Sequence, residues 1–243
     1  MAWVIDGATA VFKNDYLSMD DVQWIVQKLS KELYNSDATR SLKEILFLAI
    51  KAVRSKAVSI EPLIASIPSN KLPTFSICLV QYYHNALHYL FLGDCSLFAS
   101  TFPDIRITDK RILPFHHQVN QVKTKFQDNP AKYNQEVLRK VREIKGYINN
   151  NDGYWIGSFS AEVAKKSITG ILFIQRGDRF LICSDGFRPN IDEASMVDFK
   201  ANDIFDEVKL KDIIEKQIAS ENIYYMHTGI DISDDKTVLL FEV

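Results

Sequence analysis

The sequence predicts an α+β fold, a four-layer α-β-β-α sandwich in which helices flank two antiparallel sheets. Four runs are apolar at successive positions without alternating, which is typical of strands covered on both faces. They span residues 88–92, 171–174, 180–183 and 238–241. The connections between predicted strands are too short for helical crossovers, which favours antiparallel pairing. Antiparallel strands buried on both faces need a second sheet on one side and helices on the other.

The first third of the chain is predicted to form one strand and two helices. An apolar run over residues 1–5 ends at an Asp-Gly pair and predicts a strand that enters a turn. Apolar residues at helical spacing predict helices over residues 22–33 and 42–53. The second helix follows Ser41 and Glu44, which have capping-box spacing.

The pattern changes to β-type runs between residues 74 and 108. It predicts three strands, at residues 75–83, 86–92 and 96–101. Residues 72–93 carry no charged side chain, as a membrane span would. The polar break at His84 and Asn85 nevertheless favours a β-hairpin over a membrane helix.

The rest of the chain alternates between predicted helices and strands. Helices are predicted over residues 132–148 and 205–218, and strands over residues 170–175, 179–183 and 237–243. The first two of these strands are expected to pair with each other across the polar residues 176–178. No linker-like segment divides the chain, so residues 1–243 are expected to form a single domain.

The composition is that of a globular protein, not of a disordered chain or a coiled coil. The net charge of -2 argues against a nucleic-acid partner, which usually leaves a basic footprint. The N-terminus lacks the features of a signal peptide. Cys78, Cys95 and Cys183 lie in apolar runs and suggest buried thiols, not a disulfide framework. We therefore expect a cytoplasmic protein with no membrane partner.

Acidic residues lie at the ends of the apolar runs. They are Asp6, Asp94, Asp185 and the pair Asp234 and Asp235. A single Asp-Gly pair is most often a structural turn. Several carboxylates at the ends of buried strands, however, can converge at one rim of a sandwich. Clustered carboxylates repel one another unless cations neutralise them, and oxygen ligands suit Mg²⁺ or Mn²⁺.

The segments around these acids resemble motifs of the protein phosphatase 2C family, which are metal-dependent serine/threonine phosphatases. The motifs are Asp6-Gly7 after an apolar strand, Gly93-Asp94-Cys95-Ser96, Ser184-Asp185-Gly186-Phe187 and Asp234-Asp235-Lys236-Thr237. They occur in the family's order over nearly the whole chain. The family fold is an α-β-β-α sandwich, as the strand pattern also predicts.

The resemblance implies a centre of two Mg²⁺ or Mn²⁺ ions that share a bridging water. By position, Asp6 would bridge both metals, and the carbonyl of Gly7 would help to hold one of them. Asp185 and Asp234 would complete the second metal's ligands, and Asp94 would lie with Asp185 where some members bind a third metal. The implied reaction is hydrolysis of phosphoserine or phosphothreonine in a phosphoprotein substrate, with no covalent nucleophile.

The sequence departs from the family pattern in three places. Only five residues precede Asp6, so we expect the family's first strand to be missing, with its acidic ligand and phosphate-binding arginine. Ala8-Thr9-Ala10 replaces the His-Gly-Gly of many members, and Pro189 stands where a further aspartate often occurs. These departures leave a second interpretation open: a weak or inactive pseudo-phosphatase that binds a phosphoprotein or a regulator.

Other kinds of phosphatase or metal site match less well. Cys183 and Arg188 are one position too close for a cysteine-based phosphatase, and Val4 stands where an aspartyl-phosphate phosphatase needs an aspartate. The histidines lack a zinc pattern and are interpreted as satisfied or surface residues; they are His84, His88, His116, His117 and His227. The basic helix that carries Lys132 and Lys145 is interpreted as a solvated face.

Overall fold

Two four-stranded antiparallel sheets form the centre of the computed structural model, which describes residues 1–8, 17, 21–187 and 200–243. The strands are β1 (Ala2–Gly7), β2 (Phe75–Tyr83), β3 (Ala86–Leu92), β4 (Ser96–Ala99), β5 (Ile107–Thr108), β6 (Ile168–Phe173), β7 (Arg179–Cys183) and β8 (Val238–Glu242). The first sheet has the order β1-β2-β3-β6 and the second the order β5-β4-β7-β8. Thr9, Ala10, Arg188 and Pro189, which entered the motif comparisons, lie outside the described residues.

Helices cover the outer faces of both sheets. They are α1 (Asp21–Tyr34), α2 (Leu42–Ile60), α3 (Leu113–Phe126), α4 (Pro130–Ile144) and α5 (Glu207–Thr228). Helices α1 and α2 pack on the first sheet, and α5 packs on the second. The predicted cap of α2 is confirmed, since the Ser41 side chain accepts a hydrogen bond from the Glu44 N–H at 3.3 Å.

The central strands are apolar at successive positions because each face meets a different layer. In β2, Ile77 and Leu79 pack against α1 and α2, whereas Cys78 and Val80 pack between the sheets. The same alternation holds in β7, where odd positions face α5 and even positions face the first sheet. The four-layer α-β-β-α sandwich predicted from this pattern is therefore confirmed.

The edge strands β6 and β8 do not follow this rule. The prediction that residues 171–174 and 238–241 are covered on both faces is wrong, since Phe173 is 91% exposed and Leu239 is 37% exposed. Both strands lie at an edge of their sheet, where a neighbouring layer no longer covers the outer positions. The apolar run reports strand propensity at these places but not burial.

The predicted pairing of residues 170–175 with 179–183 is also wrong. Strand β6 pairs with β3 in the first sheet, and β7 lies between β4 and β8 in the second. The turn at residues 176–178 therefore carries the chain from one sheet to the other. There the N–H of Gly177 donates a hydrogen bond to the carbonyl of Val243 at 2.7 Å, which fixes the crossing against the last strand.

The uncharged stretch over residues 72–93 forms β2, β3 and the turn between them. His84 and Asn85 both have positive φ, 50° and 57°, as a two-residue hairpin turn requires. The predicted hairpin is thus confirmed. In the described parts of the chain, every helix is too short or too polar to cross a bilayer. All three cysteines are buried free thiols.

Helices α3 and α4 form a hairpin beside the sandwich. The sequence did not predict α3, and the reason is that none of its side chains is buried, so no apolar stripe marks it. Helix α4 ends at Ile144, four residues before the predicted end at residue 148. A small cluster that includes Ile112, Ile144 and Ile156 lies under the hairpin, with Phe115 packed against it.

A second sheet crossing, between β3 and β4, depends on Gly93. Its φ is +90°, and a Cβ added there would lie 2.3 Å from the Ser76 Oγ and 3.0 Å from the Ser76 Cα. Such a contact has to shift the backbone of the neighbouring strand β2. The loop between β3 and β4 can follow this path only with glycine at position 93.

We predict that Gly93→Ala lowers the free energy of unfolding by about 2 kcal/mol or more, because both the positive φ and the contact with Ser76 are strained. Urea unfolding followed by circular dichroism measures the change. Gly146→Ala is the matched control, because its added Cβ meets no atom within 4 Å. Equal losses of stability in the two variants would contradict this account of the crossing.

Candidate metal centre

A cavity of about 530 Å³ opens at the rim between the two sheets. Its wall contains the four acids that the family resemblance implies as metal ligands, and Gly7 lines it too; the acids are Asp6, Asp94, Asp185 and Asp234. A second cavity of about 580 Å³ lies beside β3, β6 and the start of α2, and its wall has no acidic residue. The structure thus brings the strand-end carboxylates together in the smaller cavity.

Asp6 reaches the cavity because of its position in β1. It lies two residues after Val4, which packs between the sheets, so both side chains point to the inter-sheet side. The next residue, Gly7, passes α1 at close range. A Cβ at Gly7 would lie 2.3 Å from the Cγ1 of Val22, so a larger residue here would push β1 away from the helix.

Asp94 is held at the sheet crossing by β2 and α3. The Ser76 hydroxyl donates a hydrogen bond to Asp94 Oδ1 at 2.5 Å, and the Asp94 N–H donates to the Ser76 Oγ at 3.3 Å. The other carboxylate oxygen, Oδ2, lies 3.0 Å from Nε2 of His116. These contacts fix both oxygens of Asp94 at the cavity wall.

Asp185 and Asp234 are placed side by side by contacts of their neighbours. The Ser184 hydroxyl donates a hydrogen bond to the carbonyl of Asp235 at 3.1 Å and accepts one from the Thr237 N–H at 3.0 Å. The end of β7 is therefore tied to the segment that enters β8. Since each acid adjoins one of the tied residues, both carboxylates open into the same cavity.

A close backbone approach explains the glycine after Asp185. A Cβ at Gly186 would lie 2.2 Å from the carbonyl oxygen of Asp235. Lys236 ties the segment that contains Asp234 and Asp235 to α5. Its Nζ pairs with Glu221 of α5 at 2.6 Å and donates a hydrogen bond to the carbonyl of Asp234 at 2.9 Å. The Asp-Gly pair here is a packing requirement as well as a turn.

The crowding of carboxyl groups changes their protonation. Burial, the hydrogen bond with Asp185 and the charges of Asp185, Asp94 and Asp234 raise the pKa of Asp6 to about 9. Burial and the charge of Asp94 also raise the pKa of Asp185. Burial acts to raise the pKa of Asp94 too, but its hydrogen bond with His116, the charge of His116 and the hydrogen bond from Ser76 outweigh it and lower the pKa. Asp6 consequently keeps a proton, shared with Asp185, where a cation would otherwise balance the charge.

His116 is a candidate ligand that the sequence analysis missed. One ligand atom each from Asp94, His116 and Asp185 lies within 4.8 Å of the other two. The histidine comes from α3, which the sequence did not predict, so no spacing rule connected it with the acids. Two carboxylates and an imidazole form a mixed oxygen and nitrogen set that suits a divalent transition metal such as Mn²⁺.

The interpretation of the basic helix as a solvated face is wrong at Lys145. Lys132 is exposed, as that interpretation requires. Lys145, however, is only 8% exposed and lines the cavity at the end of α4. Burial lowers the pKa of its ammonium group.

Comparison with known proteins supports the fold. Neither a protein-family model nor a curated protein sequence matches the chain. Among solved structures, it is similar to the Mycobacterium tuberculosis serine/threonine phosphatase PstP/Ppp, with 14% identity and a TM-score of 0.56 over 99% of this chain and 87% of that one. It is also similar to the S. agalactiae serine/threonine phosphatase, with 12% identity and a TM-score of 0.50 over 99% of this chain and 86% of that one.

At these identities the similarity establishes the fold alone. The chain has the fold of these serine/threonine phosphatases, as the resemblance to the protein phosphatase 2C family implied. The roles of Asp6, Gly7, Asp94, Asp185 and Asp234 as metal ligands remain predictions.

The raised pKa of Asp6 predicts how the metal-free protein responds to pH. Because its pKa rises from 3.8 to about 9 on folding, the folded state holds a proton that the unfolded state releases. The stability contributed by this proton is full below about pH 4 and is lost as the pH rises toward 9. In chelator, we therefore expect the Tm to fall by about 3 °C or more between about pH 6 and about pH 8.5.

The Asp6→Asn variant isolates this effect. Asparagine carries no charge, so the variant should have a flatter pH profile and a higher Tm than the wild type at about pH 8.5 in chelator. Thermal unfolding followed by circular dichroism measures both proteins. Parallel profiles for the two would show that Asp6 does not hold the proton.

Proposed function

We propose that this protein is a metal-dependent phosphatase that hydrolyses phosphoserine or phosphothreonine in phosphoprotein substrates. One observation supports the proposal above the others: four carboxyl groups share one cavity at the rim of a sandwich whose fold is that of two serine/threonine phosphatases. The proposal treats residues 1–243 as a single phosphatase 2C-like domain. It places the protein in the cytoplasm, where its three buried free thiols would stay reduced.

The donor set fits two Mg²⁺ or Mn²⁺ ions with room for a third. Asp6, the Gly7 carbonyl, Asp185 and Asp234 would hold the pair, in the roles implied by the family resemblance. The proton that Asp6 keeps in the cavity is an argument for this fit, because a cation placed among these carboxylates would replace it. Asp94 and Asp185 would hold the third ion together with His116.

Bound divalent cations would supply a water of lowered pKa and neutralise the charge of the phosphoryl group. The residues of the chain hold the carboxylates in place and shape a cavity large enough for a phosphorylated side chain. A cysteine nucleophile is disfavoured, because Cys183 is 1% exposed and burial raises its pKa to about 12. Arg188, whose spacing from Cys183 already disfavours that motif, lies outside the described residues.

We predict that Asp185→Asn lowers phosphatase activity at least about 100-fold. The loss of a direct metal ligand should lower activity more than the loss of a residue that only hydrogen-bonds to a ligand. Activity is measured with Mn²⁺ on p-nitrophenyl phosphate and on phosphoserine and phosphothreonine peptides, and metal affinity by calorimetry. Asp212→Asn, an exposed change on α5, is the control and should be silent.

The same experiment separates the two interpretations of the chain. Turnover that requires Mn²⁺ or Mg²⁺ and is lost in Asp185→Asn supports the enzyme. A wild-type protein that binds metal without turnover would be a pseudo-phosphatase, and one that binds no metal would end the proposal of a metal centre.

His116→Ala tests whether His116 is a ligand of the third ion. An imidazole ligand favours Mn²⁺ over Mg²⁺, so its removal should weaken one Mn²⁺ site about tenfold or more and leave Mg²⁺ binding less affected. Calorimetric titration with each metal measures the difference. His227→Ala, an exposed change at the end of α5, is the control. Unchanged Mn²⁺ binding in His116→Ala would show that this histidine only orients Asp94.

A further inference from the structure

Lys145 is a largely buried cation that has no neutralising partner among the described residues. It is 8% exposed, and within the described parts of the chain its ammonium group makes neither a hydrogen bond nor an ion pair. Lys140, on the helix α4 that ends directly before Lys145, pairs with Glu143 at 2.8 Å. Lys236, which is similarly covered, pairs with Glu221. Lys145 is thus unlike the other lysines close to it in the sequence or in burial.

The Lys145 ammonium group keeps some contact with solvent, because no fully enclosed side-chain nitrogen of the described residues lacks a hydrogen-bond partner. Burial of the side chain nevertheless removes part of its hydration and supplies no partner in return, which lowers the stability of the folded protein. The energetic cost is visible in the lowered pKa of Lys145, whose cause is burial alone. Although carboxyl groups line the same cavity, none of them contributes to this shift. The group therefore lies apart from the acids but opens into the same space.

The other cations of the cavity wall are already engaged. Arg106 donates a hydrogen bond from its Nε to the Ser96 Oγ at 2.7 Å, and Lys123 also takes part in an interaction of its own. Lys145 differs from both, because the described residues give its ammonium group no hydrogen-bond or ion-pair partner. An ammonium group offers three donors to an anion that enters the cavity.

We propose that Lys145 binds the phosphoryl oxygens of a phosphomonoester in this cavity. The inference deepens the proposed function and rests on it for the identity of the substrate. One side of the cavity would then meet the metal ions through carboxylates, and the other would meet the phosphoryl group through a lysine. A charge-assisted hydrogen bond of this kind is among the stronger polar contacts in proteins.

Lys145→Met in the Mn²⁺-loaded protein tests the inference. We expect the KM for p-nitrophenyl phosphate and the dissociation constant of inorganic phosphate to rise about tenfold or more, because a hydrogen bond to a charged group is lost. Mn²⁺ affinity should stay unchanged. Lys145→Arg should keep most of the phosphate affinity, and Lys132→Met, an exposed change on α4, should behave as the wild type.

Thermal unfolding separates phosphate binding from a structural role. Methionine fills the same space without a charge, so Lys145→Met should unfold at an equal or higher temperature. A lower Tm together with weaker Mn²⁺ binding would assign Lys145 to the scaffold and overturn the inference. Unchanged KM and phosphate affinity in the variant would overturn it as well.

Direct calorimetry with inorganic phosphate keeps this test separate from that of the proposed function. If the wild type has no turnover but binds phosphate, and Lys145→Met does not, the phosphatase proposal fails and the phosphate site stands. If the wild type turns over substrate and Lys145→Met has the same KM, the phosphatase proposal stands and the assignment of Lys145 fails. A wild type that binds no phosphate overturns the assignment of Lys145.

Discussion

Repulsion among four carboxyl groups in one cavity is the constraint on which the surrounding structure depends. Burial and this repulsion together raise the pKa of Asp6 to about 9. Short contacts oppose the repulsion: the Ser76 hydroxyl fixes Asp94, and the Ser184 hydroxyl ties the end of β7 to the segment before β8. The repulsion locally destabilises the folded protein, as is common at sites where a ligand relieves such strain.

The sequence was informative wherever local chemistry decides the outcome. The apolar runs predicted the two stacked sheets because, in the central strands, odd and even positions each need a covering layer. The glycines at positions 7, 93 and 186 are also explained locally, because a Cβ at each would clash with a neighbouring helix, strand or carbonyl group. The acids beside these glycines meet at one rim because the strand ends that carry them lie there.

The sequence was uninformative where contacts between distant segments decide. A short polar turn at residues 176–178 suits a hairpin as well as a crossing between sheets, and only the pairing partners of β6 and β7 distinguish them. His116 lies on α3, which buries no side chain, so no periodic signal marks the face that meets the cavity. Lys145 directly follows α4, whose apolar stripe predicts the helix but not the burial of this lysine. Their burial and partners depend on how the hairpin of α3 and α4 lies on the sandwich.

The helices α3 and α4 and the strand ends supply different parts of the cavity wall. The carboxylates lie in β1 or beside the ends of other strands, where hydrogen bonds and close backbone contacts tie them to the sheets. The opposite wall belongs to a hairpin whose first helix buries no side chain. Substitutions on α3 should therefore disturb folding less than substitutions at the strand ends. Under the proposed function, this wall could change the substrate preference while the carboxylates kept the same ions.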